Sequence, residues 1–498
     1  MRALRKKRAI PHRVSRTIGL SVLSHRARRG HRAVLLVGAV DTCLRVQYAH
    51  FARTEDAPPP TSFHAGVRHR RGISVGLPSD DCVGGVNTWS MESSRCHLLA
   101  PQAFTIPCYA WHSFSPHNGV YVMYDINQIR DLFPITQTHA YLNNPAIGPL
   151  SRTAYAAAVA FLDERMLSPW PDPAPSGLLR LRDRKNRVRT KFAQLYGAHP
   201  HEVGLVESTS AGENMVAQAL LQPGDVVVVD DLHFESSFLL YRQLEASRGI
   251  TLRIVPSRNG VVDIEDLAAA IDARTKLVSV SWVSNRNGFR HDIKAVADLA
   301  HSHGAYLYVD AIQALFTFPA DFHALDIDFL TCGGYKWLYA NFGVSFFYIK
   351  EALLPLVPSD RFGHTHVASA SDDLHFTIKA DASKYEYAAI AHTSVAQLEG
   401  ALDLITQVGL TDIGAHGIAL AHYLWHELDR LGYELFTPPN CQSAIVAFRH
   451  GKDTKALSTR LEQANVSVLF RENDRYIRAG TGFYNTREDV DRLVDVLR

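Results

Sequence analysis

With 498 residues, the chain exceeds what one compact core usually holds, so two or three domains are expected. Its 46% hydrophobic and 20% charged residues exclude a wholly disordered, collagen-like or coiled-coil chain. The net charge of +2 hides an asymmetry, because residues 1–30 are rich in Arg and Lys and contain no Asp or Glu.

Residues 1–122 lack a sustained helical or strand period and contain the run Pro58-Pro59-Pro60. They read as a basic N-terminal extension: a poorly folded segment, a transit peptide, a nucleic-acid-binding arm, or an over-long start ahead of Met123. Four of the six cysteines (Cys43, Cys82, Cys96 and Cys108) fall here. No CxxC pair or regular spacing suggests a disulfide framework or a metal site, so a reducing, cytoplasmic setting is expected. The longest early apolar run, Val34 to Val40, is far short of the roughly 20 residues a membrane span needs, so no membrane partner is expected. A GxSxG match at Gly72–Gly76 has no strand-turn-helix setting and reads as chance.

From Met123 onward the pattern is regular. Helices are predicted at Ser151–Met166 and Leu178–Tyr196, the first capped by Ser151. Apolar runs then alternate with helical stretches. The runs are Val203–Val206, Val226–Val229, Leu252–Val255, Leu277–Trp282, Ala305–Val309 and Val344–Tyr348. The helices between them are Gly212–Leu221, Glu235–Ser247, Ile264–Ala273 and Ile293–His303. Such alternation predicts an α/β fold with a mostly parallel sheet covered by helices on both faces. The chain after residue 390 changes to helices at Ser394–Gln407 and Thr411–Leu431, short strands and a last helix at Arg487–Leu497. The expected division is therefore 1–122, a large domain over 123–390 and a smaller C-terminal α+β domain over 391–498.

Four signals follow in chain order. Ser208-Thr209-Ser210 opens a helix directly after a strand, where hydroxyls and free N–H groups cap the helix and can hold a phosphate. Asp310 ends a buried strand, the place where α/β proteins put ligands. Lys336 follows Gly333-Gly334-Tyr335, and a desolvated lysine can act as a Schiff-base nucleophile. Arg478 closes a late strand, and a guanidinium can grip a carboxylate with two hydrogen bonds. Taken singly, each also has an ordinary structural reading. In this order they are the parts a pyridoxal-phosphate enzyme needs.

From about Ile126 to Arg498 the chain resembles the class V aminotransferase family of fold-type I pyridoxal-phosphate enzymes, which includes cysteine desulfurases, kynureninases and isopenicillin N epimerase-like proteins. The motifs Tyr141-Leu142-Asn143-Asn144, Ser208-Thr209-Ser210, Asp310-Ala311-Ile312-Gln313, Gly334-Tyr335-Lys336 and Arg478-Ala479-Gly480…Phe483-Tyr484-Asn485-Thr486 carry the resemblance. It implies pyridoxal 5'-phosphate as cofactor, with Lys336 forming the Schiff base. It also implies Asp310 on the pyridinium nitrogen, Gln313 near the ring hydroxyl, and Thr209 and Ser210 on the phosphate. Phe234, in preference to His233, would stack on the ring, with Asn285 and Tyr335 close by. Asn144, Ala146 and Arg478 would face the substrate, a small amino acid, at the interface of a homodimer. No metal and no nucleic acid are expected.

Three departures bear on the reaction. Desulfurases of this group carry a nucleophilic Cys shortly before the carboxylate-binding Arg, yet Val466–Asn473 runs into Tyr476 without one. Their His before the lysine is Tyr335 here. The family's Gly-Thr near Tyr385-Glu386-Tyr387 is replaced by Ala388-Ala389. The family name points first to an aminotransferase. The alternatives are a carbon–sulfur or kynureninase-like lyase, or a non-catalytic protein that keeps the cofactor fold for binding.

Overall fold

The computed structural model describes residues 124–167 and 176–498. The basic extension, its GxSxG match and four of the cysteines lie outside the described residues. Among those described is a seven-stranded sheet. Its strands are β1 (Val203–Val206), β2 (Val226–Asp230), β3 (Thr251–Val255), β4 (Thr275–Ser281), β5 (Tyr306–Asp310), β6 (Phe329–Gly333) and β7 (Ser345–Ile349). They lie in the order β1-β7-β6-β5-β4-β2-β3. The pairings from β6 through β5, β4 and β2 to β3 are parallel, and β7 alone runs against both its neighbours. The link from β6 to β7, residues 334–344, contains no helix that could carry the chain back across the sheet, so the strand returns antiparallel.

The strands are buried on both faces for a simple reason. Successive side chains point to opposite sides, so Val226 and Val228 enter one apolar core while Val227 and Val229 enter the other. Each buried Val contributes about 1.5–2 kcal/mol relative to leaving it in water. Helices α1 (Arg152–Leu167), α2 (Ser176–Leu195), α3 (Thr209–Leu220) and α4 (Glu235–Arg248) begin and end within a few residues of expectation. Ser151 does cap α1, its Oγ accepting the Ala154 N–H at 3.2 Å. In α2, Lys185 and Arg189 pair with the buried Glu386, the lysine at 2.6 Å, and Glu386 also accepts the Leu205 N–H of β1 at 3.1 Å.

A second, antiparallel sheet follows, with strands β8 (Glu434–Leu435), β9 (Ile445–Arg449), β10 (Leu469–Arg471) and β11 (Tyr476–Gly480) in the order β8-β9-β11-β10. It packs on α6 (Leu410–Arg430) and α7 (Arg487–Leu497) around its own core. The helix expected to open this part of the chain, α5 (His392–Val408), instead lies against α1 and α2, with Leu398, Leu402 and Ile405 in the main core. An apolar stripe predicts a buried face, not which neighbour buries it. Residues 140–145 join the two parts: Ala140–Tyr141 pairs in parallel with Val466–Ser467, and the Gly480 N–H donates to Leu142 O at 2.8 Å.

Candidate active site

The parallel strands deliver their functional residues to one edge of the sheet, as the switch-point geometry of open α/β folds requires. β5 ends at Asp310, and its register partner at the end of β4 is Ser281. β6 runs into Gly334-Tyr335-Lys336, β2 into Leu232-His233-Phe234, and β1 into the Ser208 cap of α3. These ends meet around a small cavity of about 80 Å³, with Phe234 and Tyr335 among its lining residues. Gly148 presses on the backbone of the lysine loop: its N–H donates to Tyr335 O at 2.9 Å, and a Cβ there would sit 1.8 Å from Lys336 O.

Burial sets the electrostatics. Lys336 is 6% exposed. Burial and then the repulsion of Arg478 bring its amine down to about 8, against the pull of Asp310. A substantial fraction is therefore neutral, and so nucleophilic, near physiological pH. Burial raises Asp310 to about 6, opposed by the Ile312 N–H at 3.0 Å and by the lysine charge. Arg478 falls to about 9 through burial and the nearby Arg471, with Glu235 opposing. A carboxyl pushed up and two cations pushed down describe a pocket short of counter-charges on both sides. It favours a ligand with a cationic ring nitrogen for Asp310 and a carboxylate for Arg478.

Of the residues singled out in the sequence, Thr209, Ser210, Phe234, Asn285, Asp310, Gln313, Tyr335 and Lys336 all line this cavity. Between the two candidate aromatics the geometry distinguishes. The Phe234 ring faces the cavity with its centroid 5.9 Å from Lys336 Nζ. His233 is turned inward, 1% exposed, with Nδ1 accepting the Phe234 N–H. Gln313 uses its amide to hold neighbours, donating to Pro145 O at 2.9 Å and accepting from Trp337 Nε1 at 2.8 Å. Arg478 stands behind the wall, its Nη1 donating to Asn285 O at 2.5 Å. Asn144 and Ala146 do not line the cavity. Asn144 is fully buried and accepts from the Tyr484 hydroxyl at 2.7 Å, and Ala146 is half-buried beside Pro145. Sequence reasoning missed Ser236 and Ser281 on the cavity wall. Ser281 lies inside the apolar run Leu277–Trp282, and only its pairing with Asp310 in the sheet brings it to the site.

Polar atoms at and behind the cavity wall are left unpaired by protein. Thr209 Oγ1 and Asn285 Oδ1 belong to lining residues and Arg478 Nε lies behind them, all three buried without a hydrogen-bond partner. Thr209 opens α3, so a hydroxyl and a helix N-terminus face the same side, a setting for phosphate. Buried polar groups are normally satisfied, and these three match a ligand with a phosphate, a polar ring substituent and a carboxylate. The residues present fit pyridoxal phosphate.

Fold and site together define a pyridoxal-phosphate-dependent enzyme of fold type I. The model of the family described as aminotransferase class-V matches residues 179–493, and the chain belongs to that family. Cysteine desulfurases of Shigella sonnei and Escherichia coli K12 are each 28% identical to it, over 64% of this chain and 82% of the relative. The solved structure of the cysteine desulfurase CsdA of Escherichia coli, in an S-sulfonic acid form, is 26% identical. It superposes with a TM-score of 0.67 over 75% of this chain and 97% of its own. The cystine C–S lyase C-DES, solved with its product cysteine persulfide, is 20% identical with a TM-score of 0.68 over 73% and 98%. At that identity the likeness is one of fold.

Proposed function

We propose that this chain is a carbon–sulfur lyase: it cleaves the Cβ–S bond of an amino acid by β-elimination and releases the sulfur with the departing group. The reading rests on one observation. The chain is similar to cysteine desulfurases, yet no thiol lines the cavity, and the segment before Arg478 is a closed hairpin without cysteine. Glu472, Asn473 and Asp474 take left-handed backbone at the tip (φ 54°, 55° and 62°), and Arg286 pairs with Glu472 to pin it. Cys332 is buried in β6, and Cys441 is tied to Gly288 O at 2.7 Å. Sulfur therefore has no thiol of the cavity to pass to.

Pyridoxal phosphate, when bound, supplies an electron sink for charge developing at the substrate α-carbon. The chain's own groups do the rest. Lys336 would hold the cofactor through its aldehyde group. Thr209 and Ser210 would bind the phosphate at the start of α3, Phe234 would cover the ring, and Asp310 would keep the ring nitrogen protonated. Asn285 and Gln313 approach the ring hydroxyl side, and Arg478 grips the α-carboxylate, oriented through Asn285 O. Freed Lys336 takes the α-proton. The electron pair left at Cα forms the Cα–Cβ double bond, the Cβ–S bond breaks, and the sulfur leaves as thiolate and takes up a proton. Hydrolysis of the enamine gives a 2-oxo acid and ammonium, so that R–S–CH₂–CH(NH₃⁺)–COO⁻ and water become RSH, pyruvate and NH₄⁺. A homodimer is proposed from the large apolar side chains left on the surface, among them Phe362, Leu374 and Phe376.

The test is a panel of cysteine, cystine and S-substituted cysteines, with pyruvate, ammonium and sulfur products assayed with and without an added 2-oxo acid. Equal pyruvate and ammonium without an acceptor is the expected result. Turnover that requires the oxo acid and releases no ammonium would return the assignment to aminotransferase, the reaction the family name suggests.

A further inference from the structure

Behind Phe234 runs a chain of buried polar groups that the proposed reaction leaves unused. Ser281, on the cavity wall beside Asp310, has its Oγ 3.2 Å from Nδ1 of His233. The Phe234 backbone N–H donates to the same nitrogen at 2.8 Å. A nitrogen that accepts from a peptide N–H carries no proton of its own, so the imidazole hydrogen sits on Nε2. From there the hydrogen bonds run in one direction: Nε2–H to Ser279 Oγ at 3.0 Å, then the Ser279 hydroxyl to Glu213 Oε1 at 3.1 Å. The other Glu213 oxygen accepts from Ser237 at 2.7 Å. These five side chains are each 5% exposed or less. Among the described residues, no lysine or arginine pairs with Glu213, and the basic group near it is the imidazole at 3.9 Å. An unpaired buried carboxylate is costly, and hydroxyls offset only part of that cost.

We infer that Glu213, reaching the cavity through Ser279, His233 and Ser281, is a positioning residue for the cofactor pocket that holds a proton in the working enzyme, leaving Asp310 as the single carboxylate near the ring. The groups facing Glu213 are consistent with this. Burial is the main influence and raises it to about 7, the Asp310 charge on β5 adds to the rise, and the hydroxyls of Ser237, Ser279 and Tyr241 oppose it. Tyr308 of β5 is a further neighbour, its own hydroxyl pushed up by burial and by Glu213. His233 stays neutral, burial having lowered it to about 4. The proton comes from solvent and returns to it, and no other bond changes.

The inference rests on this pocket holding the cofactor, whichever reaction follows, so the test uses holoenzyme without any amino acid. The visible cofactor band is titrated between pH 5.5 and 9 in the parent, in Glu213→Gln and in Ser279→Ala. Lys336→Ala, by abolishing the band, separately checks the pocket assignment. The parent is expected to show a step near pH 7 besides the lysine-dependent one. Glu213→Gln, a neutral isostere, loses that step, and Ser279→Ala, which cuts the chain without touching the cavity wall, reduces its amplitude by half or more. A Glu213→Gln titration that superimposes on the parent overturns the inference. Should that variant fail to fold, a superimposing Ser279→Ala titration overturns it equally.

Discussion

Replacing Arg478 by Gln separates carboxylate binding from lysine tuning, because the proposed reaction gives the guanidinium the first role and its charge near Lys336 gives it the second. Arg478 is 3% exposed, spends Nη1 on Asn285 O and leaves Nε unpaired. A substrate carboxylate meeting this guanidinium gains two charge-assisted hydrogen bonds, each worth about 1.5–3 kcal/mol. Gln can restore part of one. The net loss is then about 3–4 kcal/mol, a fall of roughly 10²–10³ in kcat/KM. The contact exists in ground and transition states alike, so KM should carry most of it. The second effect has the opposite sense. Burial and, after it, the Arg478 charge bring Lys336 down to about 8, so removing that cation favours the protonated amine and moves it back toward 10.5. Recombination of pyridoxal phosphate with apoenzyme needs the neutral amine, and its rate should rise with pH through a higher midpoint in the variant. Pyruvate release measures the first effect and stopped-flow absorbance the second. A kcat/KM within threefold of the parent, or a midpoint that falls, would refute the double role.

Other expectations are equally direct. Glu386→Gln should destabilise the protein by about 3–5 kcal/mol in urea at pH 7, because it leaves the charges of Lys185 and Arg189 buried and uncompensated. Burial pushes the Glu386 carboxyl up, but Arg189 and Lys185 outweigh it and hold it below 4.5. Its contribution is therefore present above that pH and lost on acidification, so the gap between parent and variant should narrow below about pH 4; a gap independent of pH would contradict the pairing. Gly148→Ala drives a methyl group onto Lys336 O, and at about 1–3 kcal/mol for such overpacking cofactor affinity by equilibrium dialysis should drop ~10-fold or more. A Cys332→Ala/Cys441→Ala variant should keep pyruvate release within about threefold of the parent, whereas loss of turnover would point to an enzyme thiol in the reaction.

The sequence yielded those parts of the site that sit at chain punctuation. Lys336 follows a Gly-Gly pair, Asp310 ends an apolar run and Thr209 begins a helix, so each carries a local mark that needs no knowledge of its neighbours. Strand positions were legible for the same reason, since uninterrupted runs such as Val226–Val229 have few other fates. Direction was not: β7 is buried at every residue, as β2 and β6 of the parallel set are, and only its link to β6 reverses it. Asn144 belongs with these. Family likeness points it at the substrate, but its partner is Tyr484, far along the chain, and nothing in the sequence near Asn144 announces that contact.

Glu213 and Ser281 make the same point at the site itself. A Glu in a helix and a Ser in a strand are unremarked residues until the register of β4 on β5 sets Ser281 beside Asp310 and the turn after β2 swings His233 inward. Chemistry carried by one residue and its immediate neighbours can be read from sequence; chemistry carried by pairings between distant strands appears only when the sheet is assembled. The reaction type falls between the two. The missing thiol before Arg478 is visible in the letters. That the segment closes as a pinned hairpin, with Arg471 bound to Glu235 at 2.7 Å and Glu472 bound to Arg286, is a property of the folded chain. Together these features carry the proposal that sulfur departs with the leaving group and is not passed to a thiol of the protein.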